Sequence, residues 1–472
     1  MRAPGLSVAI SLLLSTGGIT ATGQQDAIAA WGTNEAGPAV SKACGPTGGT
    51  GQAPWAGFDG DLARSGNAVS VTEPAGQIHE EWATPQLDGA VYAQPLVAGG
   101  CLFVATEDNS VYAFDANTGA LRWRTHLAAP VTSGLPCGDI DPSGITGTPV
   151  LDPATGTLWL VALVNAGSGP LHQVVALKAS NGQVVRRQDI ALPGRDPAAE
   201  QERGALSLAG GNVYIPFGGL YGDCGNYVGG VVSVPEASGH APGYWEVPTA
   251  RGAGMWEPGG PDLLPNGDLL IADGNGAGTP GQHFDGSNAV IELSPGLRVV
   301  SYFAPATWAQ LDQSDGDLDS TGPAVLPGGM ALEVGKGGTG YLVNTAHLGG
   351  VGGQVASLQV CDGAGAFGAD AVSGDAVYVP CTNGLTAVSV TGRSLHVLWR
   401  SRGGGEGSPV AAGGKVWEET PTGQLFGINA TTGAVAETTS LSSPATHFPW
   451  VVAVDAMLYA PDGQRVVSLG HL

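Results

Sequence analysis

Short apolar runs separated by turn residues recur along most of the chain. In five places a Pro precedes an apolar run, a turn signal follows, and a second run rich in β-branched and aromatic residues comes next. Three further units keep both runs but lack the Pro. The eight units begin at Pro95, Pro149, Ala205, Pro261, Pro323, Ala369, Pro409 and Val451, about 40 to 60 residues apart.

Many units continue into a third and a fourth run. The third run often ends in a turn such as Asn-Thr-Gly, which suits the positive φ that Gly adopts at low cost. Four short strands per unit, repeated eight times, predict an all-β, eight-bladed β-propeller. A pair of β-sandwiches is the competing all-β architecture, and the eightfold pattern favours the propeller. No segment has the periodicity of a long amphipathic helix.

The ends of the repeat predict how the ring closes. The last unit, residues 447–469, has only three strand patterns before the chain ends at Leu472. Residues 77–86 form a lone strand of the fourth type ahead of the first complete unit. We therefore predict that this N-terminal strand completes the last blade by pairing with the strand at 465–469.

The N-terminus has the pattern of a secretory signal peptide. Arg2 supplies a positive charge, and an apolar stretch at 6–14 is followed by small and polar residues. A buried N-terminal helix is the alternative. We predict a signal peptide at 1–23, a Gly-, Ala- and Pro-rich arm or linker at 24–54, and the propeller at 55–472. The predicted location is secreted or extracellular, and no later apolar run is long enough to span a membrane.

Composition narrows the range of partners. The chain has 18 Lys plus Arg against 41 Asp plus Glu, a formal net charge of −23, which opposes binding to nucleic acid. With 43% hydrophobic residues, the chain can bury a large core and is not of the disordered acidic type. We expect a monomer whose partner is an unknown protein, glycan or small molecule.

The six cysteines are read as three structural disulfides, because export permits them. Cys361 and Cys381 flank one predicted strand pair. Cys137 and Cys224 lie in loops of neighbouring blades, and Cys44 and Cys101 remain to fasten the arm. This is one of 15 connectivities. A zinc site and buried free thiols are the alternatives.

The unit at 109–123, NSVYAFDANTGALRW, resembles the repeat of the pyrroloquinoline quinone (PQQ) propellers. The resemblance extends over nearly all of residues 55–470. That superfamily includes quinoprotein alcohol dehydrogenases, polyvinyl-alcohol dehydrogenase and a bacterial barrel-assembly lipoprotein that binds protein and no quinone. The resemblance therefore implies the fold, and it implies catalysis with PQQ and Ca²⁺ only for some members.

Two positions match the quinone site of the dehydrogenases. Trp256, in GAGMWEPGG, resembles the Trp that forms the floor under the cofactor ring, where a flat indole contacts a planar quinone. Asn275, in ADGNG, resembles the Asn that binds calcium through its carbonyl. A blade-packing Trp and a turn Asn are the structural alternatives.

Three alternating carboxylates, Asp315, Asp317 and Asp319, precede the Pro323 strand. They repel one another unless a cation or hydrogen-bond donors compensate. Asp317 resembles the general base of the dehydrogenases, which takes the hydroxyl proton as hydride passes to the quinone. Asp315 and Asp319, with Asn275, are candidate metal ligands, and a turn that bonds backbone N–H groups is the alternative.

Several features depart from the dehydrogenase pattern. No adjacent cysteines exist, the second calcium ligand would fall near Asp223 in a loose match, and the position of Arg203 at the axis is uncertain. Two functional classes follow from the sequence. The first is a secreted bacterial propeller that acts as a binding or scaffold module. The second is a PQQ- and calcium-dependent alcohol or polymer dehydrogenase.

Overall fold

The computed structural model describes residues 34–35, 44, 54–68, 77–167 and 169–470. The predicted signal peptide at 1–23 and most of the predicted arm at 24–54 lie outside the described residues. The domain boundaries placed at residues 23 and 54 therefore stay predictions. No helix in the described ranges is long and apolar enough to cross a membrane.

Eight antiparallel sheets are arranged as the blades of a propeller, which confirms the predicted fold class. Each has four main strands, which follow one another from the inner strand to the outer one. Blade 1 consists of Leu96–Ala98, Cys101–Ala105, Ser110–Asp115 and Leu121–His126, and blade 2 consists of Val150–Asp152, Thr157–Asn165, Pro170–Lys178 and Val184–Ile190. Blade 3 consists of Ser207–Ala209, Asn212–Gly219, Gly230–Pro235 and Gly243–Glu246, and blade 4 consists of Asp262–Leu263, Leu269–Ala272, Val290–Leu293 and Val299–Ala304. Blade 5 consists of Ala324–Leu326, Met330–Val334, Thr339–Asn344 and Ala356–Gln359, and blade 6 consists of Ala371–Ser373, Ala376–Cys381, Gly384–Thr391 and Ser394–Arg400. Blade 7 consists of Val410–Ala412, Lys415–Glu419, Gln424–Asn429 and Val435–Ser440, and blade 8 consists of Val452–Val454, Met457–Pro461, Val466–Gly470 and His79–Ala83.

Short additional elements extend this frame. Four two-residue strands pair with blades 1, 3, 4 and 7, and they are Asn34–Glu35, Glu200–Gln201, Gly350–Val351 and Asn67–Ala68. One α-helix, Trp308–Ser314, and one 3₁₀-helix, Leu318–Ser320, lie in the connection from blade 4 to blade 5. The predominance of strands over helix agrees with the lack of helical periodicity in the sequence.

The ring closes through a strand from the N-terminal side of the repeat, as predicted. His79–Ala83 pairs antiparallel with Val466–Gly470, with His79 opposite Gly470 and Ala83 opposite Val467. This strand covers the edge of the last blade, whose backbone N–H and C=O groups would otherwise be unpaired.

Tryptophans of the outer strands explain the glycine turns of the repeat. Trp123 of blade 1 packs against Gly182 of blade 2, where a Cβ atom would lie 2.4 Å from Cε3 of the indole. The Nε1 of Trp123 donates to the carbonyl oxygen of Ala179 at 3.0 Å. The same contact recurs between other blades, for Trp82 with Gly119 and Trp399 with Gly433. Each of these glycines has positive φ, so both the conformation and the contact require Gly.

Residues 54–68, which we call the axial segment, pass among the inner strands. Inner strands have a free backbone edge toward the propeller axis, and the axial segment supplies partners for it. Backbone hydrogen bonds of 2.8–3.0 Å connect it to five inner strands, through the pairs Trp55–Val97, Ala56–Leu151, Leu62–Leu263, Ser65–Val372 and Gly66–Ala411. The guanidinium of Arg64 adds bonds to the carbonyl oxygen of Leu206 and the hydroxyl of Ser207, at 2.9 and 2.6 Å. The axis is therefore filled by the protein's own chain.

Three disulfides fasten loops and termini. They join the cysteines that the sequence analysis paired, with Cα–Cα distances of 5.6 Å for Cys44–Cys101, 6.2 Å for Cys137–Cys224 and 5.4 Å for Cys361–Cys381. No free cysteine occurs among the described residues. The first bridge ties the N-terminal side of the chain to blade 1, and the second ties the loops of different blades together.

Candidate functional site

One face of the propeller carries all of the candidate site residues. Strands alternate in direction within a blade, so the loops after each second strand and after each outer strand emerge on the same face. We call this the upper face. Trp256 precedes the inner strand of blade 4, Asn275 follows its second strand, and residues 315–319 precede the inner strand of blade 5.

Hydrogen bonds bring these residues into one cluster. The backbone N–H of Asn275 donates to Oδ1 of Asp317 at 2.8 Å, and its side-chain Nδ2 donates to Oδ1 of Asp315 at 2.9 Å. The backbone N–H of Trp256 donates to Oδ2 of Asp319 at 2.7 Å. Asp317 and Asp319 are buried, whereas Asp315 is exposed. Residues of two blades thus meet at one position on the upper face.

Lys336 completes this cluster, and the sequence analysis missed it. Its Nζ lies 2.5 Å from Oδ2 of Asp317 and 3.2 Å from Oδ2 of Asp315. Lys336 follows the second strand of blade 5, in the sequence Gly-Lys-Gly-Gly. The available signal was its rarity, since the chain has four lysines and this one lies in a loop of the predicted face.

Burial and charge together set the protonation of the cluster. Burial raises the pKa of Asp317, and the Lys336 ammonium opposes that rise. Burial also raises the pKa of Asp319, and the nearby Asp317 carboxylate raises it further. Partial burial would lower the pKa of Lys336, but attraction to Asp317 and Asp315 raises it overall. The ammonium of Lys336 therefore stays charged and neutralises part of the carboxylate charge.

The cluster does not fit a calcium ion. Calcium needs six to eight oxygen ligands around one position, and the carboxylates of Asp315 and Asp317 instead converge on the ammonium of Lys336. The carbonyl oxygen Oδ1 of Asn275, its candidate ligand atom, accepts a hydrogen bond from Nδ2 of Asn288 at 3.2 Å. A cation at the carboxylates would meet the positive charge of Lys336. Lys336 thus supplies the compensating cation for Asp315 and Asp317, and Asp319 accepts the backbone N–H of Trp256.

Trp256 is held rigidly while part of its side chain stays accessible. Its Nε1 donates to the carbonyl oxygen of Gly219 at 2.9 Å, and Tyr227 meets it in a T-shaped contact with ring centroids 6.2 Å apart. Gly254 and Gly274 lie so close to the indole that a Cβ on either would come within 2.7 Å of a ring atom. These contacts suit blade packing, and the half-buried ring also suits a platform for a ligand. Asp223 accepts a 2.5 Å hydrogen bond from the hydroxyl of Tyr227.

A small pocket, which we call the axial pocket, opens on the upper face. Its cavity volume is about 20 Å³, and Phe58 of the axial segment contributes to its lining. The other lining residues come from loops of blades 1, 2, 3, 4 and 8, and they are Tyr92, Thr146, Thr148, Arg203, Pro258, His447, Phe448 and Trp450. The structure thus places Arg203 at the axis. Burial raises the pKa of Tyr92 to about 12, so its hydroxyl is neutral at neutral pH.

Comparison with known proteins agrees with the geometry of the repeat. A protein-family model described as outer membrane protein assembly factor BamB matches residues 17–222. The match covers less than half of the chain, and its description is that of a protein with PQQ-like repeats. No curated protein sequence matches this propeller.

The names of solved structures with the same fold describe different functions. The quinohemoprotein alcohol dehydrogenase ADHIIG from Pseudomonas putida HK5 superimposes with a TM-score of 0.69 at 14% identity, covering 89% of this chain and 80% of that chain. A europium-containing methanol dehydrogenase gives a TM-score of 0.66 at 13% identity, with 89% and 98% covered. BamB from Moraxella catarrhalis gives 0.54 at 14% identity, with 84% and 98% covered. At these identities the likeness shows the fold alone, so function has to be argued from the residues of the upper face.

Proposed function

We propose that this PQQ-like repeat propeller is an exported bacterial binding module whose ligand, a protein, glycan or small molecule, engages the upper face. The observation that carries the proposal is the Lys336 ammonium between the carboxylates of Asp315 and Asp317. Its positive charge compensates these two carboxylates without a metal ion, and the candidate binding residues Trp256 and Asn275 lie beside it.

The disulfides support a location outside the cytoplasm. Bridges such as Cys137–Cys224 persist in oxidising compartments and are rare in reducing ones. The predicted signal peptide at 1–23 agrees with that location. Export also explains why a chain of this size has three bridges in addition to a large core.

The upper face has the side chains that binding sites favour. It presents the half-buried indole of Trp256, the Arg203 guanidinium, and Tyr221, whose side chain is 72% exposed beside the Cys137–Cys224 bridge. Tyrosine, tryptophan and arginine are enriched at the energetic centres of interfaces, because they bury a large area and also form directional polar contacts. Rigid support of Trp256 by glycine backbones lowers the entropy that ligand binding would cost.

Thermal-shift screening tests the proposal. A ligand that binds only the folded state raises the unfolding temperature, so we would screen cell-wall glycans, small acids and peptides against the full chain. We expect at least one ligand whose stabilisation is lost in Trp256→Leu and kept in Trp245→Leu. Trp245 is the matched control, because it is also half-buried but lies on the outer strand of blade 3. If every stabilising ligand acts equally on both variants, the upper face is not the binding surface.

A PQQ- and calcium-dependent dehydrogenase is the second candidate. The observation that favours it is the meeting of Trp256, Asn275 and Asp317 in one cluster, as the resemblance to the dehydrogenases implies. When bound, PQQ would supply the hydride acceptor, and Asp317 would have to accept the substrate proton. In the structure Asp317 instead pairs with Lys336, which lowers its availability as a base. Dye-linked alcohol oxidation after addition of PQQ and Ca²⁺ tests this candidate.

A further inference from the structure

The axial pocket contains a cation without a hydrogen-bond acceptor. Among the described residues, no oxygen accepts a hydrogen bond from the guanidinium of Arg203. Its Cζ lies 4.9 Å from the ring centroid of Phe448, a cation–π contact that uses the face of the guanidinium and none of its N–H groups. Because Arg203 is only half-buried, its five N–H donors remain accessible to an anion that enters the pocket.

The acidic groups near Arg203 are bonded to other residues. Asp139 lies 3.2 Å from Nδ1 of His447, and Glu107 accepts the backbone N–H of Gly144 at 2.6 Å. The charges of both groups act on Arg203, but neither forms a hydrogen bond with it. The chain therefore does not supply the missing acceptor within the described ranges.

The remaining walls of the pocket favour an anion with an apolar body. The hydroxyl of Tyr92 is neutral and has no acceptor among the described residues, so it is a second free donor. Phe448 stacks on Phe367 with ring centroids 5.7 Å apart and an angle of 6° between the ring planes. Phe448 also has a φ of 53°, which is unusual for a bulky residue and holds its ring against Arg203.

We propose that the axial pocket binds the carboxylate of a small organic acid, with the Arg203 guanidinium as its main donor and the Tyr92 hydroxyl as its second. A guanidinium and a carboxylate form two parallel hydrogen bonds, which gives this pair both strength and orientation. The pocket volume of about 20 Å³ holds about one water-sized group, so a carboxylate oxygen enters the pocket and the body of the acid lies above it against Phe448 and His447. This inference rests on the proposed function, because it names the ligand class of the same face.

Isothermal titration of the full chain with sodium benzoate tests this assignment, with benzamide as the neutral isostere at the same ionic strength. We expect benzoate to bind at least about tenfold more tightly than benzamide, the factor that one charge-assisted hydrogen bond provides. Arg203→Gln should weaken benzoate binding about tenfold or more, Arg203→Lys less, and Tyr92→Phe a few-fold. Arg298→Gln makes the same charge change in an exposed turn of the opposite face and should leave the affinity unchanged.

Two results would overturn the assignment. They are equal affinity for benzoate and benzamide, or unchanged benzoate affinity in both Arg203→Gln and Tyr92→Phe. Tyr92→Phe removes one hydroxyl and keeps the ring, so it serves if Arg203→Gln fails to fold. Absence of benzoate binding would also refute the inference. A ligand from the thermal-shift screen that depends on Trp256 would still support the proposed function, so the two failures are distinguishable.

Discussion

Replacing Gly182 by Ala should test the contact that builds the ring from its blades. Gly182 has a φ of 70°, and its added Cβ would lie 2.4 Å from Cε3 of Trp123, far inside van der Waals contact. The left-handed conformation costs an Ala about 1 kcal/mol, partly offset by the lower chain entropy of the unfolded state. Displacing the buried indole adds about 1–3 kcal/mol of overpacking. We therefore expect a loss of about 2–4 kcal/mol.

Gly392 is the matched control. It occupies the equivalent turn of blade 6 with a φ of 59°, and open space surrounds the position of its Cβ. Gly392→Ala should therefore cost only the conformational part, about 1 kcal/mol or less. The steric part should become smaller when Trp123→Leu removes the indole, and a remainder should persist because Oγ1 of Thr125 lies 2.5 Å from the same Cβ position.

Equilibrium urea unfolding of the four variants and the parent, followed by circular dichroism, measures these differences. Our reasoning predicts that Gly182→Ala is clearly more destabilising than Gly392→Ala, and that the excess becomes smaller in the Trp123→Leu background. Equal effects of the two glycine substitutions, or an excess that is unchanged without Trp123, would refute it.

Three further predictions concern closure, pH and disulfides. Deleting residues 77–86 removes the strand opposite Val466–Gly470, and light scattering should show aggregation from the exposed edge; a stable monomer would contradict the closure. Burial raises the pKa of Glu107 from 4.5 to about 7, so folding disfavours the ionised form of this carboxyl group. The unfolding temperature should therefore fall as pH rises from about 4.5 to 7, and it should fall less in Glu107→Gln. If the substitution leaves the dependence of the unfolding temperature on pH unchanged, Glu107 is not its cause. Replacing both Cys361 and Cys381 by Ala should cost about 2–4 kcal/mol in urea unfolding, and unchanged stability would exclude a structural role for that bridge.

The ring of blades could be predicted from the sequence because each repeat unit is one continuous stretch of the chain. Each unit carries its own strands and turns, and in three of the turns the Gly packs against a Trp of the preceding blade, as Gly182 does against Trp123. The fourth strand of the last blade was predictable because the last unit has only three strand patterns, and one strand pattern precedes the first complete unit. The pairs Cys361–Cys381 and Cys137–Cys224 followed from their places in the repeat, and Cys44–Cys101 was the pair that remained. Features that repeat with the blades are thus readable from one sequence.

Features that depend on the closed ring were not predictable. The axial segment has no periodic pattern, because most of its bonds to the inner strands come from its backbone and one set comes from the single side chain of Arg64. The three aspartates at 315–319 indicated a need for a compensating cation, but only the structure shows that Lys336 provides it for Asp315 and Asp317. Arg203 and Phe448 belong to loops of blades 3 and 8, and they meet only because the blades surround one axis. Contacts across the axis leave no local signal in the chain.

The central claim is that Lys336 replaces the metal ion of a dehydrogenase site, and a titration with PQQ and Ca²⁺ tests it most directly. PQQ is added to the purified full chain with and without Ca²⁺, and the quinone absorbance and dye-linked alcohol oxidation are recorded. Our account predicts that Ca²⁺ changes neither the affinity for PQQ nor its spectrum, and that no alcohol is oxidised. Calcium-dependent binding of PQQ at micromolar concentration, with alcohol oxidation that is lost in Asp317→Asn, would contradict the account and identify a dehydrogenase.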